Sequence, residues 1–175
     1  MQSNNEKSMK LPAKLDPSQV TAIVDTREQL PLCLDPLRVQ TETLDTGDYA
    51  LLGCDHIRIE RKSLDDLLGC VGRDRERFNR EVQRLLAYPV RVLLIESTWP
   101  AIELGQWRGK ITPEQVMGSL LGWQASGLSV HMAGDHERAG RHAARLLYTV
   151  AKRRYRELRA LCDVTDSAEE PAKCD

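Results

Sequence analysis

Residues Gly47–Asp66 read GDYALLGCDHIRIERKSLDD, and the organisation of the chain can be worked outward from them. Asp45-Thr46-Gly47-Asp48 has turn composition, and Tyr49 to Leu52 behind it reads as a strand. From His56 to Lys62 the residues alternate. His56, Arg58, Glu60 and Lys62 fall on one face, and Ile57, Ile59 and Arg61 on the other. The two runs can pair as a hairpin, which brings Asp48, at the head of one strand, near Glu60 and Lys62 on the next. Ser63 then caps a short helix bearing Leu64, Leu67 and Leu68. Asp65 and Asp66 lie in its first turn, where the helix dipole favours acids.

Upstream, Val20 to Asp25 (VTAIVD) is a β-branched apolar run ending on an acid, and Val39 to Leu44 reads as a further strand. Downstream, a helix is expected from about Asp74 to Ala87, with Phe78, Val82, Leu85 and Leu86 as its apolar stripe. Val90 to Glu96 (VRVLLIE) is the most apolar strand and is expected at the centre of the sheet. Ser97 to Ile111 reads as irregular. Thr112-Pro113 opens a helix to about Ala125, Leu128 to Met132 is a last strand, and Asp135 can cap a final helix to about Leu161. Strands and helices alternate through the second half, which predicts an α/β fold, a mixed sheet flanked by helices. One domain is expected over 19–161, between a flexible lead at 1–18 and a flexible tail at 162–175.

Composition narrows the classes. The chain has 175 residues, 41% of them hydrophobic and 29% charged, with a formal net charge of -1. A protein that held nucleic acid by bulk charge would be clearly basic, so any DNA contact must come from local basic patches and from metal bound at carboxylates. The N-terminus has no signal-peptide pattern, and no apolar run approaches the length that spans a bilayer. Cys33, Cys54, Cys70, Cys162 and Cys174 are scattered and include no C-x-x-C pair, so neither a disulfide framework nor a zinc site is indicated. A soluble intracellular protein, of cytoplasm, nucleoid or nucleus, without a membrane partner, is the expectation.

A strand carrying Glu-x-Lys is commonly just a solvated pair of opposite charges. Here Asp25 ends one strand, Asp48 heads a second and Glu60 lies on a third. Three acids brought to one sheet edge need a cation, and hard oxygen ligands select Mg²⁺ or Mn²⁺. Such a site can activate water against a phosphodiester. Lys62 would orient or deprotonate that water, or stabilise charge on the phosphorus.

Val24-Asp25-Thr26-Arg27-Glu28, then Gly47-Asp48, then Glu60-Arg61-Lys62 with Asp66 four residues beyond the lysine, resembles the signature of the XPF/Hef-type structure-specific endonucleases. The similarity runs from about Val20 to Lys152. It implies a restriction-endonuclease-like (PD-(D/E)XK) fold and Mg²⁺- or Mn²⁺-dependent cutting of branched DNA (a flap, fork or related junction) in repair or recombination. Carried over by position, Asp25, Asp48 and Glu60 would bind metal, and Asp48, Glu60 and Lys62 would be catalytic. Arg27 and Arg61 would contact phosphate or hold the acids in place. Glu28 and Asp66 would be supporting residues, with Asp66 pairing with an arginine. Relatives of this type usually carry a C-terminal tandem helix-hairpin-helix module. Nothing after Lys152 is long enough for one, so a helix-hairpin-helix protein partner could supply that grip.

Arg73, Arg77, Arg80 and Arg84 recur at helical spacing and could follow a phosphate backbone. Equally, they could form a solvated face laced by Glu76–Arg80 and Arg77–Glu81 pairs. The resemblance also implies a homodimer or heterodimer formed through the closing helices, with Met117, Leu120, Leu121, Trp123, Leu147 and Val150 as contacts. The rivals are a less shape-selective nuclease of the same fold and a non-catalytic DNA-binding or scaffold subunit.

Overall fold

The computed structural model describes residues 11–167. It contains one mixed sheet in the order β2-β1-β3-β4-β5-β6. The strands are β1 (Thr21–Asp25), β2 (Arg38–Glu42), β3 (Tyr49–Leu51), β4 (Cys54–Lys62), β5 (Val90–Ile95) and β6 (Ser129–Met132). β1 and β2 are parallel, β3 runs antiparallel to both β1 and β4, and β4, β5 and β6 are parallel to one another. The hairpin expected around Gly47–Lys62 is therefore the centre of the sheet. β5 has a strand on each side, but it is not the central strand; β3 and β4 are.

Five helices cover the sheet: α1 (Leu64–Val71), α2 (Arg75–Leu85), α3 (Trp99–Glu103), α4 (Pro113–Ala125) and α5 (His136–Ser167). α5 packs Ala139, Ala143, Leu147 and Val150 against Ala22, Val24, Tyr49, Leu51, Ile57, Ile59, Val92 and Leu94. The other face of β5, Leu93 and Ile95, is covered by Leu67 of α1, by Phe78, Val82 and Leu85 of α2, and by Val116 and Leu120 of α4. Because strand side chains alternate, sending Ile57 and Ile59 toward α5 sends Arg58, Glu60 and Lys62 toward the α1/α2 side. That face is covered rather than solvated.

The local signals act as expected at most ends. Ser63 Oγ accepts from the Asp66 backbone N–H. Thr112 and Gln115 form a reciprocal capping box behind Pro113. Two expectations need correction. Ser97 to Ile111 is not wholly irregular, since Thr98 caps α3 by accepting from Ala101 N; five residues are too few to leave a periodic signal. α5 continues to Ser167, past the expected end at Leu161. The described part of the lead is hydrogen-bonded to α5. Leu15, Pro12 and Ala13 offer their carbonyls to Tyr148 Oη, Tyr155 Oη and Arg159 Nη1 of α5 at 2.7, 2.7 and 2.8 Å. The flexible ends expected at residues 1–10 and 168–175 lie outside the described residues.

The expected dimer contacts are mostly core. Leu120 and Leu147 are 0% exposed, and Trp123 and Val150 are also buried. Trp123 stacks edge-on against Phe78, ring centroids 4.8 Å apart, and donates to Asn79 Oδ1. An apolar stripe at helical spacing reads the same whether it meets a sheet or a second subunit. Of that set only Leu121, 55% exposed, and the partly buried Met117 remain at the surface.

α5 passes close to the β1–β2 connection at Gly140, where an added Cβ would lie 2.5 Å from the Cys33 carbonyl oxygen. Both sides of that contact are backbone, so neither yields cheaply. Gly140→Ala is expected to destabilise the fold by about 1–3 kcal/mol, seen as a lower thermal melting midpoint.

Candidate active site

Register brings the acids together. Asp25 N donates to Asp48 O and Asp48 N donates to Ile59 O, each at 2.8 Å, at the end of the ladder that pairs Val24 with Tyr49 and Tyr49 with Ile59. Gly47 enables this turn. Its φ is +77°, and a Cβ there would meet Ile59 O at 3.2 Å. Asp25, Asp48, Glu60 and Lys62 thus reach one edge on one face of three adjacent strands.

The three acids are not equivalent. Asp25, 2% exposed, is saturated. Its Oδ1 accepts from Arg27 N (2.9 Å) and Nε (2.7 Å), and its Oδ2 from Arg27 Nη2 (3.0 Å) and Leu44 N (2.7 Å). The Arg27 guanidinium holds this carboxyl down at about 2. All of these bonds tie the β1 end to Arg27 and to the loop after β2. Asp25→Ala is expected to cost about 1.5–3 kcal/mol at pH 7. Because its folded pKa lies below the unfolded value, that contribution is full above about pH 4 and is lost as pH falls through 2. Denaturant titrations across that range check it.

Asp48 and Glu60 are the unsatisfied acids. Asp48 Oδ2 accepts from Arg61 N at 2.7 Å, and its other oxygen has no partner among the described residues. Burial pushes this carboxyl up to about 6. Glu60, 2% exposed, accepts from Lys62 Nζ through Oε1, while Oε2 is buried without a partner. Burial and then the Asp48 charge raise its pKa. Burial also works against the Lys62 charge, but Glu60 and Asp48 outweigh it and raise the ammonium's pKa. The Lys62 ammonium lies 5.4 Å from the Phe78 ring centroid.

Among the described residues no three Asp, Glu, His or Cys side chains are grouped closely enough to enclose a metal ion. The buried free oxygen of Glu60 beside a half-buried Asp48 with one unpartnered oxygen nevertheless suits Mg²⁺ or Mn²⁺, which keep several waters and take only one or two protein carboxylates. The buried orphan oxygen of Glu60 is the observation behind that fit, since an unpaired buried acid is costly unless a cation or proton offsets it.

Arg27 and Arg61 both hold acids in place. Arg27, 66% exposed on its side chain, is spent on Asp25 and Leu44 O. Arg61 turns to the α5 side, where Nε donates to Glu96 Oε1 at 2.7 Å and Nη1 to Glu28 at 3.3 Å. Glu28 also accepts from Tyr49 Oη at 3.4 Å and Leu30 N at 2.9 Å. Among the described residues Asp66 pairs with no arginine; its Oδ2 accepts from Ser63 Oγ at 2.6 Å, so its support is to the α1 cap. On α2, neither Glu76–Arg80 nor Arg77–Glu81 forms. Arg73 and Arg77 meet Asp74 at 3.2 and 3.8 Å, and Arg80 has no ion-pair partner among the described residues.

Sequence reasoning missed Glu96 and His136. Glu96 accepts from Arg61 and from His136 Nδ1 at 2.7 Å. Burial opposes its charge, but these two bonds overcome it and lower the pKa. Its signal, an apolar strand ending on an acid, is the same as that of Asp25; His136 left none.

A family model, the ERCC4 domain, matches residues 24–146, which span every residue of this site. The chain belongs to the ERCC4 domain family. Its fold is that of XPF from Aeropyrum pernix, with a TM-score of 0.62 at 20% identity over 81% of this chain and 69% of that one. The Aeropyrum pernix XPF complex with DNA gives 0.60 at 21% identity over 79% of this chain and 66% of the other. The ERCC4 chain thus spans about two thirds of those chains, and the restriction-endonuclease-like fold expected from the motif is present. A comparison with curated protein sequences returned no match. Among the described residues no helix is long and apolar enough to cross a membrane.

Proposed function

We propose that this ERCC4 domain is a metal-dependent endonuclease that cuts branched DNA by phosphodiester hydrolysis, in repair or recombination. The observation that carries the reading is the pair of desolvated carboxylates, Asp48 and Glu60, with Lys62 beside them. Family membership supports it, as does the fold shared with an XPF that has been solved with DNA. Asp48 and Glu60 would hold Mg²⁺ or Mn²⁺, which when bound supplies Lewis acidity and a bound water of lowered pKa. Without metal, the Glu60 and Asp48 charges favour the protonated form of Lys62. Its role is to orient or deprotonate the attacking water, or to stabilise the charge that builds on phosphate oxygens. Arg77 and Arg80 on α2, the helix over the site, and exposed Arg73 in the turn just before it can track the DNA backbone.

The test is cleavage of labelled flap, fork and plain duplex by the purified chain in Mg²⁺, Mn²⁺ or chelator. The branched substrates are expected to be cut near the junction with metal only, and Lys62→Ala to slow this by about 10²–10³-fold. A Lys62→Ala protein as fast as wild type, or a wild type inert on every substrate with both metals, would sink the proposal.

A further inference from the structure

One flank of α2 brings Phe78 beside the Lys62 ammonium. Its flank toward α4 borders a groove of about 400 Å³, with Arg75, Asn79, Arg80 and Gln83 as the α2 wall. No aspartate or glutamate lines this groove. The acids of the two helices, Glu76, Glu81 and Glu114, lie outside the lining, and Asp74 is taken by Arg73 and Arg77. Arg75 reaches across to Ser119 Oγ at 2.9 Å, and Arg80 makes no ion pair among the described residues. Trp123 Nε1 donates to Asn79 Oδ1, which leaves the Asn79 amide nitrogen as a further donor.

α4 supplies the floor. Gly118 and Gly122 stand one turn apart inside the helix, and a Cβ built on either meets nothing within 4 Å. Glycine inside a helix is destabilising relative to alanine, and no neighbour in the fold requires it at these two positions. Their bare backbone lets an outside group come closer to the helix than any side chain would allow. Trp123, the one aromatic residue of the lining, is only 6% exposed, so an unpaired base has no face to stack on. Unopposed positive charge, N–H donors and close approach suit a phosphate backbone instead.

We propose that the groove between α2 and α4 seats the sugar–phosphate backbone of a duplex arm of the substrate. The arm then lies against the outer flank of the helix that covers Lys62. This rests on the reading that the chain acts on DNA, and it adds where the uncut part of that DNA is held.

The experiment is fluorescence-anisotropy titration of a labelled plain duplex with the full chain in chelator, at several salt concentrations, alongside thermal melting. Chelator separates binding from cleavage. Gly118→Leu with Gly122→Leu fills the floor without changing charge. It is expected to weaken duplex binding by about tenfold or more with no loss of melting temperature, because both side chains enter open space. Arg75→Gln with Arg80→Gln should make the plot of log affinity against log salt shallower by about 2, one for each phosphate contact. Arg153→Gln with Arg156→Gln removes the same charge from the far part of α5 and should keep the wild-type slope. Wild-type binding in the glycine variant, or an equal change of slope in the α5 variant, would overturn the proposal. A single strand that binds as tightly, with the same loss in the glycine variant, would overturn the duplex assignment. A chain that binds duplex through the groove yet cuts nothing in either metal would sink the nuclease reading and leave this site standing.

Discussion

Asp48→Asn is expected to abolish cleavage of branched DNA and, at the same time, to make the metal-free protein more stable at pH 8. The activity loss should be about 10³-fold or more, roughly 4 kcal/mol of barrier, because one of two cation-binding carboxylates is gone. The stability gain follows from the same desolvation. The Asp48 carboxyl is pushed up to about 6 in the fold, against 3.8 unexposed to it, so the folded state prefers the neutral acid. Ionisation therefore destabilises the protein as pH rises from 4 through 6, and the penalty is full at pH 8. Its removal is worth on the order of 1–3 kcal/mol. The asparagine oxygen can still accept from Arg61 N. The stability difference should close toward pH 4. Adding Mn²⁺ should stabilise wild type and leave the variant unchanged. A variant less stable than wild type at pH 8 would show that Asp48 is an ordinary structural acid.

Arg61→Ala is expected to cost about 3–5 kcal/mol, enough to unfold a marginal domain at 37 °C. The side chain is not a surface arginine. It is buried between Glu28 and Glu96, whose side chains are also nearly inaccessible, and its loss leaves two carboxylates without their main counter-ion. His136 can compensate only Glu96. The discriminating variant is the triple change Arg61→Ala, Glu28→Gln, Glu96→Gln, which should recover part of the loss because no uncompensated charge remains. Equal melting temperatures for the single and triple variants would mean that the cost is lost packing, not stranded charge. The Asp48 anchor is a backbone N–H of Arg61 and survives the substitution. Molecules that do fold should therefore retain cleavage.

These expectations separate residues that look alike in the sequence. Glu60 and Lys62, two apart on a strand, had to share a face, and Gly47 announced the turn that delivers Asp48. The Ser63 and Thr112-Pro113 caps marked their helices for equally local reasons. Asp25, ending one strand, reads as a site acid just as Asp48, heading another, does, yet it is neutralised by Arg27 and by an N–H from Leu44, nineteen residues away. Arg61 sits between two site residues but belongs to the opposite face. The α2 arginines have the spacing of paired surface charges, yet the pairs do not form. Leu120 and Leu147 have the spacing of an interface stripe and lie in the core.

Period-two alternation, turn chemistry and capping act over a few residues, so the hairpin, the α/β class and the Asp48, Glu60, Lys62 triplet can be read along the chain. Which acid is left unpaired is a matter of solvation and partners, and those come from other elements. Burial beneath α1 and α2 raises the Glu60 pKa, and the Asp48 charge adds to it. Electrostatic energy depends on distance in space and on access of water, and both arise when the helices pack on the sheet.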